Sequence, residues 1–337
     1  MRTDVHAHLW TEDYLTLLES FGRRDTAVQH GMGATDSTHD LQARFAMNAA
    51  AGIDHQILSV SPQGPYFPDA EQAVRAARLA NDHYADLIRA WPTRLSAFAA
   101  LPLPHLDQSL AELARALDEL DLAGVAVTTD VLGRSIADPA FTILFEELDR
   151  RGSVLSVHPS GHDAGSPLIV ATGTRWMIGA PVEDTVCAMH FMIEGIPNRF
   201  PRLRVVHSHL GGALPMLLSR ADALMRREAP RMTEKPTVTA TRMWYDTVAH
   251  GHVPALRAAA GSYGADRLVF GTDFPYQSGE RLRRAVSFIK EALPPDEAEQ
   301  VLTAGTRLLH PHPHPHPHEA GGGSRGGSGS GGGGASG

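Results

Sequence analysis

The sequence predicts an α/β fold, a single (β/α)8 TIM barrel, with a disordered C-terminal tail. Eight short apolar runs recur over most of the chain, and stretches with helical apolar spacing lie between them. Alternating strands and helices favour a parallel sheet, and eight such units in roughly 300 residues favour a closed barrel. An open doubly wound sheet is the alternative, but no Gly-x-Gly-x-x-Gly motif follows the first run to seat a dinucleotide.

The predicted strands follow one another as expected for consecutive β/α units. They are the run around Val5, Gln56–Val60, Leu95–Leu101, Gly124–Val127, Val154–Val157, Leu203–Val206, Met243–Val248 and Leu268–Phe270. Helical spacing is clearest in two sets of apolar residues: Leu110, Leu113, Leu117 and Leu120, then Leu214, Leu217, Leu218, Ala221 and Leu224. We therefore expect one barrel domain over residues 1–309.

The last segment, residues 310–337, has a different composition. Histidine and proline alternate from His310 to His318, and the remainder is almost entirely glycine and serine. Such a segment has too little apolar surface to offset the entropy cost of ordering it. We predict that it is a disordered tail, either a low-complexity appendage or a purification tag, and we exclude it from the fold.

Composition and charge limit the classes of partner and the compartment. The net charge of −8 argues against a nucleic-acid partner, and the sequence contains no run of 18 apolar residues and no signal-peptide pattern. We therefore expect no membrane association. The single cysteine, Cys187, lies in an apolar helical stretch and is expected to be a buried thiol. A reducing cytoplasm is the expected location.

Four metal-ligand side chains lie at the ends of three predicted strands. His6 and His8 are two residues apart in the first run, so both side chains point to the same face of the strand. His158 ends the fifth run before Pro159, and Asp273 follows the eighth. The C-terminal ends of barrel strands converge on one face. Three imidazoles and one carboxylate suit Zn(II), with a water completing an open catalytic site, so we predict one zinc per active site.

A histidine pair follows the sixth predicted strand. His207 and His209 are expected to share one face, and His209 abuts the Gly211-Gly212 turn. Because it is nearer the strand end, we predict that His209 is the general acid/base and that His207 lies deeper, in the core. The two glycines are expected to let the backbone approach the substrate closely.

Lysine content bears on the number of metal ions. The chain has only two lysines, Lys235 and Lys290, and neither lies on a predicted strand. A bridging carboxylated lysine is therefore absent, which favours a mononuclear site.

These segments together resemble the amidohydrolase superfamily. More narrowly, the chain resembles the branch that contains 2-amino-3-carboxymuconate semialdehyde decarboxylase, γ-resorcylate decarboxylase and 5-carboxyvanillate decarboxylase. The resemblance covers about residues 1–309. It includes Trp176 followed by Ala180-Pro181-x-Glu183, Phe200-Pro201-x-Leu203, and Tyr245-Asp246-Thr247.

The resemblance implies specific roles for residues of this chain. His6, His8, His158 and Asp273 match zinc ligands, and His209 matches a catalytic histidine assisted by Asp273. Arg220 matches an arginine that reaches the neighbouring active site of a homodimer. Trp176 is expected either to pack against a planar substrate or to be a core residue at the barrel mouth.

One departure from the family pattern concerns substrate binding. The family places a substrate-binding arginine in the segment after the first strand, but the loop over residues 26–33 has none. Arg23, Arg24 and Arg44 flank that loop, and Gln29, His30 and His39 are alternative pocket residues. An arginine is the usual partner of a planar carboxylate.

The expected function is Zn-dependent, non-oxidative decarboxylation of a small unsaturated or aromatic carboxylic acid. A mononuclear zinc hydrolase of a lactone or amide is the alternative on the same barrel, because it needs no carboxylate-binding arginine. A non-catalytic metal or small-molecule binding protein is the third possibility. Retention of His209 beside every predicted ligand argues against that third possibility.

Overall fold

A computed structural model describes residues 1–309, and a ring of eight parallel strands forms its centre. The predicted disordered tail, residues 310–337, lies outside the described residues. Each predicted run overlaps one strand of the ring, although the third and seventh strands are clearly shorter than predicted. The strands are β1 Thr3–His8, β2 His55–Ser59, β3 Leu95–Ala97, β4 Val125–Thr128, β5 Val154–His158, β6 Arg204–His207, β7 Trp244–Asp246 and β8 Leu268–Val269.

Pairing between neighbours in chain order closes this ring. β1 to β3 form one parallel set, and β4 to β8 form another. A parallel bridge from Ala99 to Val125 joins β3 to β4, and a second from Ala7 to Phe274 joins the end of β8 to β1. The (β/α)8 barrel is therefore confirmed, and the open doubly wound sheet is excluded.

Helices cover the outside of the ring. A short antiparallel hairpin, Asp130–Val131 with Arg134–Ser135, follows β4. None of the helices within residues 1–309 combines the length and apolar character needed to cross a membrane. The helices are α1 Glu12–Ser20, α2 Thr38–Ala51, α3 Ala70–Ala90, α4 Leu106–Asp118, α5 Thr142–Arg151, α6 Pro167–Thr172, α7 Ala180–Ile193, α8 Ile196–Arg199, α9 Leu214–Glu228, α10 Pro236–Thr239, α11 Val253–Tyr263, α12 Gly279–Arg283, α13 Ala285–Ala292 and α14 Pro295–Leu309.

The barrel interior is closed at the N-terminal ends of its strands. One side chain from most strands forms an apolar layer inside the ring, and Ala304 and Leu308 of α14 pack against it. α14 lies so close to the start of β1 that a Cβ at Gly305 would be 2.8 Å from Cβ of Thr3. Polar chemistry inside the barrel is therefore confined to the C-terminal ends of the strands, the usual active-site face of this fold.

Candidate metal centre

The four predicted ligands meet at the C-terminal ends of β1, β5 and β8. His6, His8, His158 and Asp273 are all buried, and each offers a donor atom within 4.8 Å of the others. His8 Nε2 lies 3.1 Å from both His6 Nε2 and Asp273 Oδ1. Zinc–nitrogen bonds of roughly 2.0–2.1 Å in a tetrahedron place neighbouring donors about 3.4 Å apart. The donor spacing and the donor types therefore fit one divalent cation.

Each of the three histidines has a partner at its other ring nitrogen. His6 Nδ1 lies 2.6 Å from Asp246 Oδ2, and His8 Nδ1 lies 3.1 Å from Ser59 Oγ. His158 Nδ1 donates to the carbonyl oxygen of Pro159 at 2.8 Å. Such partners fix the tautomer of a ligating histidine and leave Nε2 free for the metal. Asp246 was missed as a functional residue, although its position at the end of β7 is a detectable sequence feature.

Burial and charge act in opposite directions on these groups. Burial lowers the pKa of His8 to about 4 and that of His158 well below its ordinary value. His6 is also buried, but the carboxylates of Asp246 and Asp273 raise its pKa to about 9. Burial would raise the pKa of Asp273, yet His6, His209 and His8 hold it well below its usual value. The group thus contains two neutral imidazoles, a carboxylate and one proton that a cation would displace.

His209 lies at the mouth of the barrel, beside the four residues His6, His8, His158 and Asp273, which we call the metal group. Its Nε2 is 3.8 Å from Asp273 Oδ2, and its ring centroid is 5.2 Å from that of His6. Its side chain is 17% exposed, whereas that of its partner Asp184 is 1% exposed. Burial opposes protonation of His209, but Asp184 and Asp273 raise its pKa well above the ordinary value. A protonated imidazole therefore lies next to Asp273 and His6.

The backbone conformation at His209 explains its position. His209 and Leu210 have φ values of 51° and 60°, in the left-handed region that non-glycine residues rarely occupy. The backbone N–H of His209 donates to Asp246 Oδ1 at 2.9 Å, which holds this turn. Strained backbone of this kind often occurs at functional sites.

His207 does not share a face with His209, so that prediction is wrong. The His207 ring packs edge-on against Phe191 of α7 at 5.2 Å, and its Nε2 lies 3.2 Å from Met243 Sδ. Burial lowers its pKa to about 3. β6 ends at His207, and the left-handed turn at His209 reverses the alternation of side chains. His207 therefore faces the helices as a neutral core residue, whereas His209 faces the barrel axis.

The Gly211-Gly212 turn packs closely against neighbouring protein groups. A Cβ at Gly212 would overlap the carbonyl oxygen of Pro181 at the start of α7. A Cβ at Gly211 would lie 3.0 Å from the ring of Tyr245. Both glycines therefore accommodate protein neighbours, and a close approach of this backbone to the substrate stays a prediction.

Two of the three arginines that flank the loop over residues 26–33 are held by other groups, and Arg24 is exposed. Arg23 makes a two-point contact with Asp25 and also binds Gln63 Oε1 at 2.5 Å. Arg44 is fully buried and donates to the carbonyl oxygen of His8 at 2.5 Å. Arg44 therefore binds the backbone at the end of β1. Neither Arg23 nor Arg44 faces the metal group as a free cation.

Among the alternative pocket residues, Gln29 reaches the neighbourhood of the metal group. Gln29 is buried, and its Nε2 donates to the hydroxyl of Tyr276 at 2.7 Å. The Tyr276 ring lies 5.6 Å from the ring of His8. His30 instead bridges Glu12 and Glu19 at the surface, and His39 is exposed. Tyr276 was missed, although it follows Asp273 by only three residues.

Trp176 and Arg220 lie outside the metal group. Trp176 is 50% exposed, and its ring is so close to Gly161, in the loop after β5, that a Cβ there would be 2.7 Å away. Arg220 is exposed on α9 and makes no ion pair or side-chain hydrogen bond with other residues of the described range 1–309. Cys187 is buried as expected, and burial raises its pKa well above the ordinary value.

Comparisons with known proteins agree with this geometry. A family model described as Amidohydrolase matches residues 3–304. The chain is 27% identical to the 2-amino-3-carboxymuconate-6-semialdehyde decarboxylase of Dictyostelium discoideum, over 83% of each protein. It is 28% identical to the 6-methylsalicylic acid decarboxylase of Penicillium expansum, over 91% of this chain and 95% of that one. The crystal structure of 5-carboxyvanillate decarboxylase from Sphingomonas paucimobilis superposes with a TM-score of 0.76 at 25% identity, over 91% of this chain and 98% of that one.

Proposed function

Because the chain belongs to the amidohydrolase family, we propose that it is a metal-dependent, non-oxidative decarboxylase of a small unsaturated or aromatic carboxylic acid. The observation that carries this proposal is the position of His209, 3.8 Å from Asp273 and next to the four-residue metal group. A metal-binding protein without activity would need no proton donor there. The decarboxylases among its relatives support the same reaction.

The proposed cofactor is one Zn(II), held by His6, His8, His158 and Asp273. The support is the mainly nitrogen donor set and the close spacing of its donor atoms. When bound, the cation would supply positive charge that orients and polarises an oxygen of the substrate. The two lysines of the chain, before α10 and within α13, offer no bridging ligand, which favours a single metal.

His209 is the proposed proton donor in the decarboxylation step. Its imidazolium transfers a proton to the substrate carbon that bears the carboxylate. The bond between this carbon and the carboxylate carbon then breaks, its electron pair returns to the π system, and CO2 leaves. His209 regains its proton from solvent. The carboxylates of Asp184 and Asp273 favour the protonated ring that this step requires.

We propose that Tyr276 takes over part of the substrate binding that the family assigns to an arginine after the first strand. Its hydroxyl accepts a hydrogen bond from Gln29, so its own hydrogen remains available for a substrate oxygen. The buried chain from Gln63 Nε2 to Gln29 Oε1, at 3.2 Å, fixes the direction of the amide. Trp176 offers an exposed indole face beside the loop after β5, which suits a planar substrate.

A homodimer is the proposed assembly. Most of the large apolar side chains exposed on this barrel lie on the elements from α6 to α9, which contact one another. We call this the α6–α9 surface, and Arg220 lies on it one helical turn from Met216 and Leu217. Exposed apolar patches of this kind mark interaction sites. A second copy would cover the surface and bring Arg220 towards the neighbouring active site. The exposed apolar residues of the α6–α9 surface are Leu168, Val170, Trp176, Met177, Ile178, Val186, Met216 and Leu217.

The experiment that tests the proposed reaction is a CO2-release assay. The metal-loaded chain is offered 6-methylsalicylate, 5-carboxyvanillate and 2-amino-3-carboxymuconate semialdehyde. At least one acid should release CO2 in equal amount to the decarboxylated product, and chelation should stop the reaction until Zn(II) is restored. A lactone and an amide are offered in parallel, and opening of the lactone or release of an amine, with no CO2 from any of the three acids, would identify the hydrolase instead.

A further inference from the structure

We infer that Asp184 on α7 is the positioning residue for His209, an assignment that rests on the proposed role of His209 in proton transfer. Asp184 Oδ2 lies 2.9 Å from His209 Nδ1. Asp184 is 1% exposed, and its second oxygen, Oδ1, is buried without a hydrogen-bond partner among the described residues. A buried carboxylate is costly unless it is paired, and His209 is the side chain that pairs with it.

The contact fixes which ring nitrogen of His209 faces the substrate. With Nδ1 directed at Asp184, Nε2 is directed at the open side of the metal group near Asp273. The backbone of His209 is held separately by Asp246. Asp246 therefore fixes the backbone of His209, and Asp184 fixes its ring. Without Asp184, rotation about the Cβ–Cγ bond could exchange the two nitrogens.

The Gly211-Gly212 turn is what allows α7 to deliver this carboxylate. Gly212 has no side chain to separate the turn from Pro181 at the start of α7. Thr185, the next residue after Asp184, accepts the backbone N–H of Ala213 at 2.8 Å through its Oγ1. The helix and the turn are thus locked together at the point where Asp184 meets His209. A side chain at residue 212 would move the carboxylate away from the ring.

A double-mutant cycle separates positioning from a general structural role. We expect Asp184→Ala to lower kcat for decarboxylation about 10–100-fold, the usual cost of losing such a partner, with KM and zinc content unchanged. The assay uses 6-methylsalicylate, or the acid of the CO2 assay that is converted fastest. In a His209→Ala background the same change should alter kcat less than about twofold, because residues that act as a unit are not additive.

Two further variants keep this test decisive. Cys187→Ala removes a buried group one turn further along α7 without touching His209, and it should leave kcat within about twofold. If Asp184→Ala fails to fold, the equally sized Asp184→Asn should give the same non-additivity. Equal factors in both backgrounds, or a loss of zinc with Asp184→Ala, would overturn the inference. Normal turnover by His209→Ala would instead overturn the proposed role of His209.

Discussion

Asp246→Asn is expected to weaken metal binding while leaving the fold intact. Asp246 Oδ2 contacts His6 Nδ1 at 2.6 Å, and its Oδ1 accepts the backbone N–H groups of His209 and Val248 at 2.9 and 3.0 Å. Asparagine has the same size, and its side-chain oxygen can keep both backbone bonds. The loops after β6 and β7 should therefore stay in place.

The magnitude follows from the tautomer of His6. The amide nitrogen of the new side chain donates a hydrogen bond, so His6 Nδ1 must accept it and the ring proton moves to Nε2, the atom that faces the metal group. Loss of such a partner costs roughly 10–100-fold in metal affinity, and the loss of charge places this case near 100-fold. The free energy of unfolding without metal should fall by only about 1–3 kcal/mol.

Zinc affinity is measured by competition with a coloured chelator, and unfolding by urea titration. Asp4→Asn is the matched control. Asp4 is another buried carboxylate, within β1, but it accepts from Gln56, Thr272 and the backbone N–H of His6, and it has no hydrogen bond to an imidazole ring of the described residues. The zinc affinity of Asp4→Asn should stay within about threefold of the parent, since Asp4 contacts His6 through the backbone N–H and not through the ring. Parent-like zinc affinity in Asp246→Asn, or equal losses in both variants, would refute the tautomer argument.

Three further predictions concern stability, substrate binding and assembly. Burial holds the pKa of His207 at about 3, against an ordinary 6.5. The unfolded chain therefore binds the extra proton between these values, and stability falls as the pH drops below 6.5. In urea titrations without metal, the free energy of unfolding should fall between pH 7.5 and pH 5 by about 1–2 kcal/mol less in His207→Leu than in the parent. Equal decreases in the two proteins would contradict the burial argument. Tyr276→Phe should raise KM about tenfold with zinc content unchanged, as expected for one lost hydrogen bond, and an unchanged KM would remove Tyr276 from substrate binding. Leu217→Glu should convert the dimer to a monomer in light scattering, whereas Arg220→Ala should stay dimeric with reduced turnover; a fully active monomeric parent would reject the dimer.

The barrel and the metal group could be predicted because both depend on local patterns. Two histidines that are two residues apart on β1 are expected to face the same way, and residues at the C-terminal ends of parallel strands converge however long the connections are. His158 and Asp273 could therefore be matched to His6 and His8 without knowledge of the intervening helices.

The remaining features depend on tertiary contacts that no local pattern encodes. Asp184 lies on a helix 25 residues before His209, and only the packing of α7 against Gly212 brings the two together. The opposite orientations of His207 and His209 follow from a left-handed turn that strand alternation does not predict. The exposure of Leu217 on the apolar face of α9 likewise depends on which neighbours cover that helix.

The most direct test of the proposed centre is zinc content measured together with CO2 release in His209→Ala. The chain ending at Leu309 is used beside the full chain, because the His-Pro segment of the tail could bind additional metal. We expect about one zinc per chain, as in the parent, and turnover reduced by about 10²–10⁴-fold, the scale of a positioned general acid. His6→Ala and Asp273→Ala should instead lose zinc together with activity. Loss of zinc from His209→Ala, or full CO2 release without it, would contradict the proposed division between metal ligands and proton donor.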